Sequence, residues 1–201
     1  MNNFILPKIL RDLYCDVTFY FPIESCCKNI FFKKIECHKI LLSIHSDYFN
    51  SFFNFQSDNK IIINGYSYDE FKVMIDYLYD NNLKFDFNDS NFLLKSLKLS
   101  DEYMLENYKK IILNRIKIEI DKQKYNLSFN NYLDYLILLK EKSNELLLDE
   151  CINLITEIIL DMIKKSENSE KIIYKLLFPK KKICEDIYDD FYISKLFEQQ
   201  L

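Results

Sequence analysis

The chain has 201 residues, with 27 Lys plus Arg against 31 Asp plus Glu and a formal charge of -4. That acidic balance argues against a protein that binds nucleic acid by neutralising phosphates. Hydrophobic residues at 49% and charged residues at 29% are enough for a globular core, and no apolar run approaches the roughly 20 residues needed to cross a bilayer.

Residues 3–13 can form a short amphipathic helix carrying Phe4, Leu6, Leu10 and Leu13, with Pro7 tolerable in its first turn. From 14 to 21 the chain alternates, with Cys15, Val17, Phe19 and Phe21 on one face, which predicts a half-buried strand. Residues 22–29 read as a turn region. Residues 30–37 read as a second strand with Phe31, Ile35 and Cys37 in phase, pairing with the first as a hairpin.

The stretch Cys37–Phe53 then reads as two short helices meeting at a corner. Ile40, Leu41 and Ile44 recur at helical spacing and predict an apolar side for the first helix. Ser46 interrupts the run and is a good N-cap for the second, whose Phe49, Phe52 and Phe53 give an aromatic face. A polar loop, 54–60, leads to Ile61–Ile63, a third strand too apolar to be an exposed edge. Asn64-Gly65 is a turn signal holding the chain's one glycine. Ser67-Tyr68-Asp69-Glu70 has the spacing of a capping box. The helix it opens should bury Phe71, Met74, Ile75 and Leu78 and end at Asp80-Asn81-Asn82. Leu83, Phe85 and Phe87 suggest a brief strand.

From Asp89 onward the pattern is helical. Phe92, Leu93, Leu97 and Leu99 serve one helix, and Leu105, Tyr108, Ile111, Ile112 and Ile116 serve the next. Residues 120–128 read as a boundary. Beyond it, Tyr132, Leu133, Leu136 and Leu139 mark one helix, and Leu147, Cys151, Leu154, Ile155, Ile158 and Met162 another. Lys171–Phe178 and Ile183–Leu196 are two further short helices. Strands confined to the first 90 residues indicate an α+β front half and an all-α remainder. No repeat of the kind propeller blades require follows.

Chemistry is sparse. His38 and His45 are the only histidines. His38 adjoins Cys37, but neighbours on a strand point to opposite faces and make a poor nucleophile pair. There is no phosphate-cradling glycine loop and no HExxH or GxSxG string, so no catalytic residue is assigned. Cys26, Cys27, Cys37 and His38 do not have the spacing of a zinc set and read as core and turn residues; neither metal nor cofactor is expected. The six cysteines, with no secretory signal at the start, read as reduced thiols of a cytoplasmic protein. Pro179-Lys180-Lys181-Lys182 reads as a solvated loop, or as a short nuclear-import run. Asp16, at the head of the first strand, is placed to hydrogen-bond near His38 or Lys39 and fix the corner.

The string His38-Lys39-x-x-Leu42-Ser43-x-x-Ser46-x-Tyr48-Phe49-x-x-Phe52-Phe53 resembles the signature of the BTB/POZ domain. Asp16-Val17, Ile61-Ile62-Ile63 and Phe71-x-x-Met74-Ile75-x-Tyr77-Leu78-Tyr79 follow in the family's order. The resemblance covers roughly residues 13–119. It implies a BTB/POZ fold over 1–119, a small sheet flanked by helices. The helices of 120–201 resemble the start of a BACK region. Alanine and Trp are absent while Phe, Tyr, Asn, Lys and Ile abound, a mark of AT-rich coding; in this the chain resembles BTB proteins of large DNA viruses of amoebae.

Family membership would imply a protein–protein interaction module that dimerises and, in many members, recruits a cullin-three ubiquitin ligase. The N-terminal segment is then either an ordered arm or a dimerisation helix through Phe4, Leu6, Leu10 and Leu13. The cullin-type surface would comprise Tyr48, Phe52, Phe53, Phe55 and Gln56, with core packing as the competing role of the phenylalanines. Cullin-binding members usually carry an apolar residue, any residue, then Glu in this loop; here Phe55-Gln56-Ser57 puts Ser where Glu is expected. The alternative is a structural or decoy protein that pairs with other BTB proteins without binding cullin.

Overall fold

A computed structural model describes residues 13–23, 31–56, 58–81, 89–165, 172–173 and 176. The chain divides into two units, Met1–Glu157 and Ile158–Leu201.

The first unit opens with a hairpin. Strands β1 (Val17–Ile23) and β2 (Phe31–Cys37) pair antiparallel, with Val17 opposite Cys37 and Phe19 opposite Ile35. Period-two alternation puts Val17, Phe19, Phe21, Ile35 and Cys37 in the core. β1 starts later than the alternation predicts, and Cys15 is only partly covered. Phe31, in phase with the buried residues, is 58% exposed at the far end of β2.

β3 (Lys60–Ile62) pairs parallel with β1 on the other side, giving the order β2-β1-β3. This corrects the expectation that the third strand avoids the edge. Among the described residues β3 is an edge, Ile62 is exposed, and the buried apolar residue is Ile63, whose N–H donates to Tyr20 O at 2.9 Å.

Two short helices form the corner, α1 (Lys39–His45) and α2 (Asp47–Phe55). Of the three residues whose spacing marks the apolar side of α1, Leu41 alone is buried, and Leu42 joins it, whereas Ile40 is 63% and Ile44 55% exposed. A seven-residue helix held between β2 and α2 takes its orientation from its neighbours.

Helix α3 (Tyr68–Asp80) begins in the expected capping box: Ser67 Oγ accepts from Glu70 N–H and Glu70 Oε2 accepts from Ser67 N–H at 2.7 Å. Buried Glu70 also pairs with Lys95 Nζ at 3.2 Å. α3 buries Phe71, Met74, Ile75 and Leu78 and ends at Asn81 in the left-handed region. The strand expected at Leu83–Phe87 lies outside the described residues.

Helices α4 (Ser90–Glu102), α5 (Glu106–Asn126) and α6 (Phe129–Glu145) follow, and α7 (Asp149–Lys165) passes into the second unit. Residues 120–126, read as boundary from the sequence, are the last two turns of α5, with Ile120 buried. Tyr132, Leu133, Leu136 and Leu139 are buried as expected. On α7 the buried residues are Cys151, Ile155 and Ile159, whereas Leu147 is 83% exposed and Leu148 replaces it in the core.

The α4–α5 and α6–α7 corners share one hydrogen-bond pattern. Leu105 N–H donates to Ser100 O at 2.8 Å, and Leu148 N–H to Ser143 O at 3.0 Å. Between them Met104 and Leu147 take left-handed φ values of 51° and 59°. These are Schellman closures built without glycine. Lys109 Nζ bridges Asp101 at 2.6 Å and Glu150 at 2.8 Å, tying the first corner to the start of α7.

In the second unit, Ile159 and Ile172 are buried and the helix extends to Lys165. Most of 171–178 and all of 183–196, where two more helices were expected, lie outside the described residues, as does the Lys180–Lys182 run. No helix among the described residues is long and apolar enough to cross a membrane.

Candidate docking surface at the helical corner

The corner is fixed by three polar side chains. His38 occupies the N-cap of α1 but supplies no cap bond. Asp16 Oδ1 does so instead, accepting from Lys39 N–H at 2.7 Å, while Asp16 N–H donates to Cys37 O at 3.1 Å. Ser46, 2% exposed, caps α2: its Oγ accepts from Phe49 N–H at 3.0 Å and donates to Tyr103 O at 2.6 Å. One hydroxyl thus starts α2 and binds it to the α4–α5 corner.

His38 works at the same junction. Its N–H donates to Tyr79 Oη at 3.1 Å, and its Nδ1 lies 2.7 Å from that oxygen. Its Nε2 lies 2.7 Å from Leu13 O. His45 sits at the end of α1 with Nε2 buried and unpartnered, and desolvation lowers its pKa from 6.5. Among the described residues no group of three or more His, Cys, Asp or Glu could hold a metal ion.

The aromatic residues of α2 divide into a covered part and a presented part. Phe49 is buried against Phe19, with ring centroids 6.0 Å apart, and stacks on Tyr103 at 4.9 Å. Tyr48 is 37% exposed, stacks on Phe52 and meets Tyr103 edge-on at 5.1 Å. Phe52 and Phe53 are half-buried, and Lys39 Nζ lies 5.4 Å over the Phe53 ring. Phe55, at the end of α2, is 92% exposed. Gln56 is the C-cap, and its N–H donates to Phe52 O at 2.9 Å. Tyr48, Phe52, Phe53 and Phe55 therefore lie along one helix, Tyr48 in its first turn and Phe55 in its last, with Gln56 as the C-cap; Ser57 lies outside the described residues.

Of the proposed dimerisation residues, Phe4, Leu6 and Leu10 lie outside the described residues, and Leu13 is 47% exposed. The sequence reading passed over Tyr103. Its ring lies against Tyr48, Phe49, Tyr66 and Phe71, and burial raises its pKa. Its place at a helix corner, outside any apolar period, hid it.

A model of the BTB/POZ domain family matches residues 8–117. Kelch-like protein 36 of Rattus norvegicus is 30% identical over 96 residues, which cover 45% of this chain and 14% of that protein. The same protein of Mus musculus matches equally. The likeness thus spans a small part of these relatives' length. Among solved structures, the BTB domain of human Gigaxonin aligns with a TM-score of 0.42 and 18% identity, over 53% of this chain and 80% of that one. The BTB domain of zebrafish PATZ1 aligns with a TM-score of 0.40 and 18% identity, over 52% and 76%.

Proposed function

The chain belongs to the BTB/POZ domain family, and from that premise we propose that it is a dimerising adaptor whose α2 end docks the amino-terminal domain of cullin-three. The family is one of protein–protein interaction modules, and the work assigned here is adhesion, not catalysis. The observation that carries the reading is Phe55: a 92% exposed phenylalanine at the end of a helix whose other phenylalanines are wholly or partly covered. Exposed aromatic side chains beside a rigid aromatic base suit the anchor role in an interface. Tyr48, Phe52, Phe53 and Gln56 would border that anchor, and Phe4, Leu6, Leu10 and Leu13 would pair two copies.

In this reading residues 1–119 are the docking domain and 120–201 a BACK-like extension. The protein works in the cytoplasm, with nuclear entry through Lys180–Lys182 as the variant. Coding composition supports a viral source.

A second reading is favoured by Ser57, which stands where cullin-binding members carry Glu. The protein would then be a decoy that pairs with other BTB proteins and leaves cullin unbound. Pull-down with the purified cullin-three amino-terminal domain separates the two. Adaptor function predicts capture by the full chain and at least tenfold weaker capture by Phe55→Ala; no capture by the unaltered chain would favour the decoy.

A further inference from the structure

We propose that Tyr14 is a strained hinge at the entry to β1, and that His38 is the positioning residue that holds it by donating its Nε2–H to the Leu13 carbonyl. Tyr14 has φ 61°, in the left-handed region that costs a residue with a Cβ. Its side chain is 90% exposed, so packing of the ring is not what sustains the conformation. The restraint lies in the backbone on either side. After Tyr14, Asp16 is fixed by Cys37 O and Lys39 N–H. Before it, Leu13 O lies 2.7 Å from His38 Nε2.

A carbonyl oxygen only accepts, so Nε2 carries the proton. Nδ1 then accepts from the Tyr79 hydroxyl at 2.7 Å, while that oxygen accepts from His38 N–H. Tyr79 is 1% exposed near the end of α3. It orients the ring, whose tautomer the Leu13 carbonyl fixes, much as an outer-shell partner orients a ligating histidine. The direction in which the chain enters β1 is therefore dictated from α3, and the strain at Tyr14 is the cost of that direction. This holds whether or not the preceding segment dimerises.

The test is a double-mutant cycle on the full chain at neutral pH, read by thermal unfolding. Tyr14→Gly removes the steric cost and should raise the melting midpoint by a few degrees. In a His38→Ala background, where Tyr14 is free to relax, the same change should raise it by less than half as much. The gain in unfolded-chain freedom from glycine is common to both backgrounds and cancels. Cleavage by chymotrypsin after Tyr14, measured against cleavage after the exposed Phe55, should be at least fivefold faster in His38→Ala. It should return near the original rate in His38→Gln, whose carboxamide N–H can replace Nε2–H. If His38→Ala does not fold, Tyr79→Phe supplies the second background with the same expectation. Equal effects of Tyr14→Gly in both backgrounds, or unchanged cleavage at Tyr14, would overturn the proposal.

Discussion

Asp16 and Ser46 perform the same task at neighbouring helix starts, from different distances in the chain. Ser46 caps its own helix; Asp16 reaches across from the head of β1 because His38 leaves the first amide of α1 without a side-chain partner. Asp16→Ala should cost about 1 kcal/mol, the usual loss of a cap, and lower the melting temperature by roughly 2–4 °C for a unit of this size. An unchanged melting curve would show that water replaces the carboxylate without loss. His45 gives a pH dependence of definite sign. Burial lowers its pKa below 6.5, so on acidification the unfolded chain binds the proton first. Its contribution to stability is whole above pH 6.5 and is lost as pH falls through the folded value. The melting temperature should therefore fall between pH 7 and pH 5, and fall less in His45→Phe. Asp16 was legible as a partner of the corner because it heads the strand beside it. The Ser46 bond to Tyr103 was not, since 57 residues separate the two.

Elements with long, clean periods were legible. The alternation of Val17, Phe19 and Phe21, the Ser67–Glu70 box and the stripe on α6 all stand where the spacing puts them. Short elements were not. α1 has two turns, too few for its own pattern to outweigh the packing around it, and so Leu41 and Leu42 enter the core while Ile40 and Ile44 face out. β3 has three residues, and its apolar composition serves Ile63 just beyond it more than the strand itself. Sequence patterning gives the second helix Phe49, Phe52 and Phe53 and leaves Phe55 to the loop, whereas α2 runs through Phe55 and exposure rises from 1% at Phe49 to 92% at Phe55. Phe49→Ala should destabilise the chain by about 3–5 kcal/mol, whereas Phe55→Ala should stay within roughly 0.5 kcal/mol. Denaturant unfolding of the two variants checks both, and a large loss from Phe55→Ala would move that residue from docking to folding.

At the scale of the molecule, the α+β front and helical remainder were legible because strand and helix periods separate so sharply along the chain. Of the polar stretch 120–128 that reads as a domain boundary, residues 120–126 are helical, the last two turns of α5, with Ile120 buried. The dimer proposal belongs to this scale. Light scattering over a range of concentrations should give twice 24.4 kDa, and Leu13→Asp should shift the mass toward the single chain. A single-chain mass at every concentration would remove the paired arm from the account.

The helix corners built without glycine bear on how this protein could change. Tight reversals usually fall to glycine, yet here Met104 and Leu147 accept left-handed backbone angles while Leu105 and Leu148 anchor the far side in the interior. Because buried Leu105 and Leu148 anchor each reversal from inside, the exposed Met104 and Leu147 bear the cost of the left-handed backbone, and Met104→Gly or Leu147→Gly should raise the melting temperature.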